Sequence, residues 1–150
     1  LLRPGHIMLE QLEAALGEEV LISPAILEKL KDGEVARSPG KKYKHYAPKA
    51  DITILDGSFA QFRAYVEAHK AENPSCLCFT GEDALLPFPC VCYGKENDGD
   101  DQARHLFRCL RALDEQQDHL VYARCPKKDG SSMAVYNRLI RAAAFRVIAL

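Results

Sequence analysis

Apolar positions along this chain change their period several times, and each change marks an element. Met8, Leu9, Leu12, Ala15 and Leu16 recur at the spacing of one helix face, and Gly17 is placed to end that helix. A second helix is expected after Ser23, with Ser23 as N-cap, Pro24 in the first turn, Leu27 and Leu30 following, and Lys31-Asp32-Gly33 closing it. From Asp51 onward, short apolar runs alternate with amphipathic stretches. Residues 51–55 read as a strand broken at Asp56-Gly57. Ser58 or Asp56 then caps a helix that presents Phe59, Phe62, Val66 and His69, and Asn73-Pro74 stops it. Residues 75–79, 90–93 and 119–123 read as three more strands. The acidic run at 97–101 leads a long helix, where negative charge suits a positive helix terminus. Ala103, Leu106, Phe107, Leu110 and Leu113 are its expected buried stripe. Gly130-Ser131-Ser132 caps a last helix carrying Met133, Tyr136, Ile140, Ala143 and Val147 on one side.

Strands separated by amphipathic helices predict an α/β fold. The expected form is a three-layer, Rossmann-like, mostly parallel sheet of four or more short strands flanked by helices, preceded by a helical and extended linker. The link from Phe79 to Cys90 is short for a helical crossover. With 20 basic and 21 acidic residues the net charge is −1, so no global field points to nucleic acid or membrane. No apolar run approaches the roughly 20 residues of a membrane helix. Six cysteines without the spacing of a disulfide framework suit a reducing, cytoplasmic setting. Leu1 to Gly5 reads as the end of a strand begun earlier, and the absence of an initiator Met suggests a piece of a longer protein.

Candidate chemistry is sparse. Cys76-x-Cys78 and Cys90-x-Cys92 make a four-thiol set that could hold tetrahedral zinc. A C-x-C inside a strand, however, simply places both sulfurs on one sheet face, and free Cys is often buried. The expectation is therefore no metal. No Gly-x-Gly-x-x-Gly follows any strand, and Asp56 would repel an anion at the Asp56-Gly57-Ser58 turn. Asn137 carries a helix-propensity cost, which points to a specific hydrogen bond, such as one to a neighbouring loop; Arg138 and Arg141 read as solvated. His6, His69, His105 and His119 have no partner spacing for metal or triad chemistry.

The stretch Ser38-Pro39-Gly40-Lys41-Lys42-Tyr43-Lys44-His45-Tyr46-Ala47-Pro48-Lys49 is different. Ser-Pro-Gly suits a type II turn, and Pro48 keeps the exit extended. Between them cationic and aromatic side chains alternate with no carboxylate. The bland reading is a solvated linker. The functional ones are a lid over an anionic ligand or an RNA-contacting arm that pairs phosphates and stacks bases.

Leu2-Arg3-Pro4-Gly5, Leu9-Glu10-Gln11-Leu12-Glu13, the 38–48 strap, and Asn137-Arg138-Leu139 with Arg141-Ala142-Ala143 together resemble the C-terminal part of the two-domain, YrdC-containing threonylcarbamoyl-AMP synthases. Lys41 departs from the family pattern, where Met is usual. The resemblance implies three regions: residues 1–17 as the tail of a truncated YrdC-type catalytic domain, 18–50 as an interdomain linker with the strap, and 51–150 as a small Rossmann-like domain. It implies a cytoplasmic parent nucleotidyltransferase that makes threonylcarbamoyl-adenylate and pyrophosphate from ATP, L-threonine and bicarbonate, with Mg²⁺, for tRNA modification. Arg3 would contact nucleotide. Ser38, Pro39 and Gly40 would shape the strap, Tyr43 and Tyr46 would touch nucleotide or intermediate, and Lys42, Lys44 and His45 would lie near phosphate oxygens. No catalytic residue, metal ligand or cofactor is expected in this stretch itself, which should be inactive alone. Expected partners are the protein's own catalytic domain, tRNA-modification proteins and a second copy, but no membrane. The alternative is a freestanding RNA- or small-ligand-binding α/β module.

Overall fold

The computed structural model describes residues 1, 5, 7–23, 49–116 and 119–150. Its centre is a five-stranded sheet formed by β1 (Asp51–Asp56), β2 (Ser75–Cys78), β3 (Cys90–Cys92), β4 (Leu120–Arg124) and β5 (Val147–Ala149), in the spatial order β3-β2-β4-β1-β5. Every neighbouring pair is parallel.

Helix α2 (Phe59–Ala68) starts where Ser58 accepts from the Gln61 N–H while the Gln61 side chain accepts from the Ser58 N–H, so Ser58 and not Asp56 is the cap. Helix α3 (Gly99–Glu115) is capped by Asp98, and α4 (Ser132–Ala142) follows β4. One sheet face, built from Ile52, Ile54, Leu77, Val121 and Ala123, packs against Leu106, Leu110 and Leu113 of α3 and Val135, Leu139 and Ile140 of α4. The other, with Leu55, Cys76, Cys78 and Tyr122, packs against Phe62 and Val66 of α2. These are the three layers.

The structure corrects the sequence reading at several points. Phe107 is not part of the α3 stripe; it is 37% exposed, and Gln102 and Cys109 are buried instead. The buried face is rotated away from Phe107 toward the row that meets the sheet, where the Cys109 thiol donates to Cys92 O. Val147 does not continue α4, because Ala144 and Phe145 adopt φ of 50° and 64° and end the helix, freeing β5 to pair with β1. From β2 to β3 the chain needs no crossover helix: a 3₁₀ turn at Asp83–Leu85 returns it to a parallel partner.

Helix α1 (Leu9–Leu16) ends, as expected, on Gly17 at φ 71°, whose N–H donates to Glu13 O. None of its residues is buried, and Ile7, Leu16 and Leu21 are exposed. Residues 2–4, which were read with Leu1 as the end of a strand, and 24–33, read as a second helix, lie outside the described residues.

Candidate functional site

Open parallel sheets place ligands at the carboxyl ends of adjacent strands whose connections leave on opposite faces. Here those strands are β1, followed by α2 on one face, and β4, followed by α4 on the other. The crevice between them is bridged by the protein's own groups. Arg124, with its side chain 3% exposed, ends β4 and reaches three loops. Its Nε donates to Glu82 Oε1 and Oε2 at 3.0 and 3.2 Å, one terminal nitrogen donates to Gly57 O at 2.6 Å, and the other to Glu96 Oε1 at 3.0 Å. Gly57 follows β1, Glu82 follows β2 and Glu96 follows β3. One guanidinium therefore pins the loops after three strands to the end of the fourth. Its carbon also lies 5.1 to 6.0 Å from the ring centroids of Phe59, Phe62 and Phe79.

Burial pushes the Glu82 carboxyl above its ordinary range, and the Phe79 N–H and Arg124 pull against it without reversing the shift. Beneath, the buried Tyr93 hydroxyl donates to Arg124 O at 2.9 Å, and burial raises its pKa well above the usual tyrosine value. On the rim, Lys128 Nζ donates to Asp56 Oδ2 at 2.6 Å, a bond that raises the Lys128 pKa. Cys125 is pushed up to about 12, first by burial and then by Asp56. The two cations, Arg124 and Lys128, are both taken up by carboxylates. The arrangement works as a clamp on the loops that meet Arg124.

The opposite, amino edge of the sheet carries the exit of the strap. The Lys49 N–H donates to Asp114 Oδ1 at 2.6 Å in the last turn of α3, Ala50 is buried, and the Asp51 N–H donates to His119 O. Along β1 this anchor is separated from the Arg124 clamp by about 17 Å, at 3.3 Å per residue.

The site residues read from the sequence, Arg3, Ser38, Pro39, Gly40, Lys42, Tyr43, Lys44, His45 and Tyr46, lie outside the described residues. Among the described residues no three His, Cys, Asp or Glu side chains converge as a metal site. Cys76, Cys78, Cys90 and Cys92 do share one sheet face, packed under α2. His69 and His105 bond to backbone oxygens one turn back, at Tyr65 O and Asp101 O. Asn137 is buried and accepts from Arg141 one turn on, while the Arg138 guanidinium lies 5.0 Å from the Phe107 ring. Arg124 itself went unremarked in the sequence, although one arginine closing the run Leu-Val-Tyr-Ala was a usable signal.

Residues 7–144 match the family described as threonylcarbamoyl-AMP synthase, C-terminal domain. The chain belongs to that family. It is 32% identical over 151 residues to the threonylcarbamoyl-AMP synthase of Pyrococcus abyssi and 32% identical over 153 residues to that of Bacillus subtilis. It spans 43% and 42% of those relatives' lengths, and 99% of this chain is covered in each case. Among solved structures, P. abyssi Sua5 complexed with L-threonine superposes with a TM-score of 0.79 at 28% identity, covering 100% of this chain and 44% of that one. A double-substituted form of the same protein gives a TM-score of 0.82, also at 28% identity, covering 43% of its chain.

Proposed function

We propose that this chain is the accessory domain and active-site strap of a threonylcarbamoyl-AMP synthase, acting in cis on a catalytic domain. The observation that carries the reading is the family match over 7–144 in relatives more than twice as long. The parent reaction is then formation of threonylcarbamoyl-adenylate from ATP, L-threonine and bicarbonate with release of pyrophosphate, in the cytoplasm, in service of tRNA modification. The L-threonine complex of the P. abyssi relative supports threonine as the amino-acid substrate.

In this reading residues 38–48 close over the nucleotide. Tyr43 and Tyr46 lie against nucleotide or intermediate, Lys42, Lys44 and His45 stand near phosphate oxygens, and the Ser38-Pro39-Gly40 turn sets the angle of closure, with Arg3 contacting nucleotide. A closed strap keeps a labile mixed anhydride from water. The sheet's part is mechanical: Asp114 holds the strap's exit at Lys49. Mg²⁺ would accompany ATP in the catalytic domain.

The test is adenylate formation by the intact enzyme carrying Tyr46→Ala or Lys42→Ala, with nucleotide affinity measured alongside. Loss of activity in both with the fold unchanged is expected. Wild-type kcat and KM in both would remove the strap from the reaction. Sub-micromolar tRNA binding by this chain alone, with a steep salt slope, would favour an RNA-binding module instead.

A further inference from the structure

The four thiols of β2 and β3 are not used by the strap or the clamp. Register pairs Cys76 with Cys90 and Cys78 with Cys92. All four side chains therefore stand in a two-by-two block on one face of two adjacent strands. Cys76 and Cys78 are buried, whereas Cys90 and Cys92, on the three-residue edge strand β3, are partly open. The Cys78 and Cys92 sulfurs are 3.8 Å apart. Neighbouring strands lie about 4.7–4.9 Å apart, inside the Cα separation of about 4.4–6.8 Å that a disulfide spans. Closing the bond requires the sulfurs to approach to about 2.05 Å. Strand β3 has β2 on one side only, so it can make that adjustment.

We propose that β2 and β3 form an oxidation site in which Cys78 and Cys92 close a disulfide between the strands. The oxidant is hydrogen peroxide. One of its oxygens is attacked by the Cys92 sulfur; the O–O bond breaks, the departing hydroxide takes the thiol proton and leaves as the first water, and Cys92 becomes a sulfenic acid. The Cys78 sulfur then attacks Cys92, the S–O bond breaks, and hydroxide departs as the second water. In sum, two thiols lose two electrons and two protons, and hydrogen peroxide becomes two waters. Burial raises the Cys92 pKa, and a hydrogen bond to Cys90 together with burial raises that of Cys78, so each thiol keeps its proton until its sulfur attacks and then passes it to the departing hydroxide.

The bond would tie together the stems of two loops. β2 runs on to Glu82 and β3 to Glu96, the two carboxylates that Arg124 holds. Oxidation is therefore read as a device that stiffens the carboxyl edge.

The test uses the protein with its natural flanking sequence, purified reduced and exposed to hydrogen peroxide under native conditions. No Lys or Arg lies between Lys70 and Lys95, so trypsin leaves all four thiols on one peptide; a second cut at Glu82 or Asp83 separates the two strands. The expected result is a linked pair of peptides two hydrogens lighter than the reduced pair, with two fewer titratable thiols, and no linkage in Cys92→Ser or Cys78→Ser. Should Cys78→Ser fail to fold, the Cys92→Ser chain at the partly open position decides alone. A full set of free thiols after treatment, separate sulfinic acids, or a linkage that survives Cys92→Ser would overturn the proposal.

Discussion

Arg124 meets Glu82 with one nitrogen, Nε, placed 3.0 and 3.2 Å from the two carboxylate oxygens, in a pocket where their side chains are 3% and 12% exposed. The pair is buried and the third partner is not: Glu96, on another nitrogen, is 55% exposed. This asymmetry decides which substitutions matter. Arg124→Met leaves the Glu82 carboxylate buried without its cation, and removing one partner of a buried pair costs about 3–5 kcal/mol. Glu96→Ala removes a solvent-screened contact worth under about 1 kcal/mol. Urea unfolding of both variants checks the contrast, and equal losses would show that the clamp does not depend on burial.

Helices α3 and α4 touch at Gly99. A Cβ there would stand 2.5 Å from both Ser131 Oγ and the Ser132 backbone nitrogen. The Ser132 backbone cannot yield without shifting α4. Gly99→Ala should therefore destabilise by about 1–3 kcal/mol, the usual range for overpacking. A thermal or urea midpoint matching that of the parent chain would mean the helices separate more easily than this contact implies.

Ser58 closes the N-terminus of α2, and Ser58→Ala removes the acceptor of the Gln61 N–H. The expected loss is about 1 kcal/mol, typical for an N-cap. Gln61→Ala should lose less, because the Ser58 N–H it leaves behind is exposed and can turn to water. Chemical denaturation of the two variants should rank them in that order.

Alkaline pH should loosen the fold before it affects any chemistry. Cys125 is raised from 9.0 to about 12, with burial the larger cause. An acid raised in the folded state keeps its proton after the unfolded chain has released it. Stability is therefore lost as pH rises from about 9 to about 12, with a slope of up to about 1.4 kcal/mol per pH unit for each such thiol. Cys76 and Cys78, raised by hydrogen bonds to Cys90 and by burial, add to the same limb. Cys125→Ala should make the pH dependence of the urea midpoint shallower over that window. An unchanged slope would assign the limb to other groups.

The anchor at Asp114 makes a functional prediction for the intact enzyme. Asp114→Ala releases the Lys49 N–H at the strap's exit without opening the core. Adenylate formation should fall several-fold in kcat/KM while stability changes by under about 1.5 kcal/mol, the range of a single exposed hydrogen bond. Unchanged kinetics would mean that the strap does not need a fixed exit.

Much of the architecture was readable from short-range signals. Gly17, Ser58 and the acidic lead into α3 mark ends that depend only on residues within a turn of them. The misreadings fall where local patterns were ambiguous. Phe107 satisfies a helical stripe as well as Cys109 does, and only the seating of α3 on the sheet, where the Cys109 thiol donates to Cys92 O, decides between them. Val147 fits the period of the preceding helix, yet the two left-handed residues before it turn it into an edge strand. The strap's composition is legible, whereas its side chains lie outside the described residues.

By itself, the sequence determined the alternation of strand and helix, the caps, the cationic and aromatic strap and the family resemblance, because each is written within a few consecutive residues. Tertiary structure alone decided the strand order, the fifth strand and the clamp. Arg124 meets partners 28, 42 and 67 positions away in the chain, and no periodicity records a contact of that range. Strand pairing brings those loops to one edge, and burial there turns an ordinary arginine into the residue that holds them.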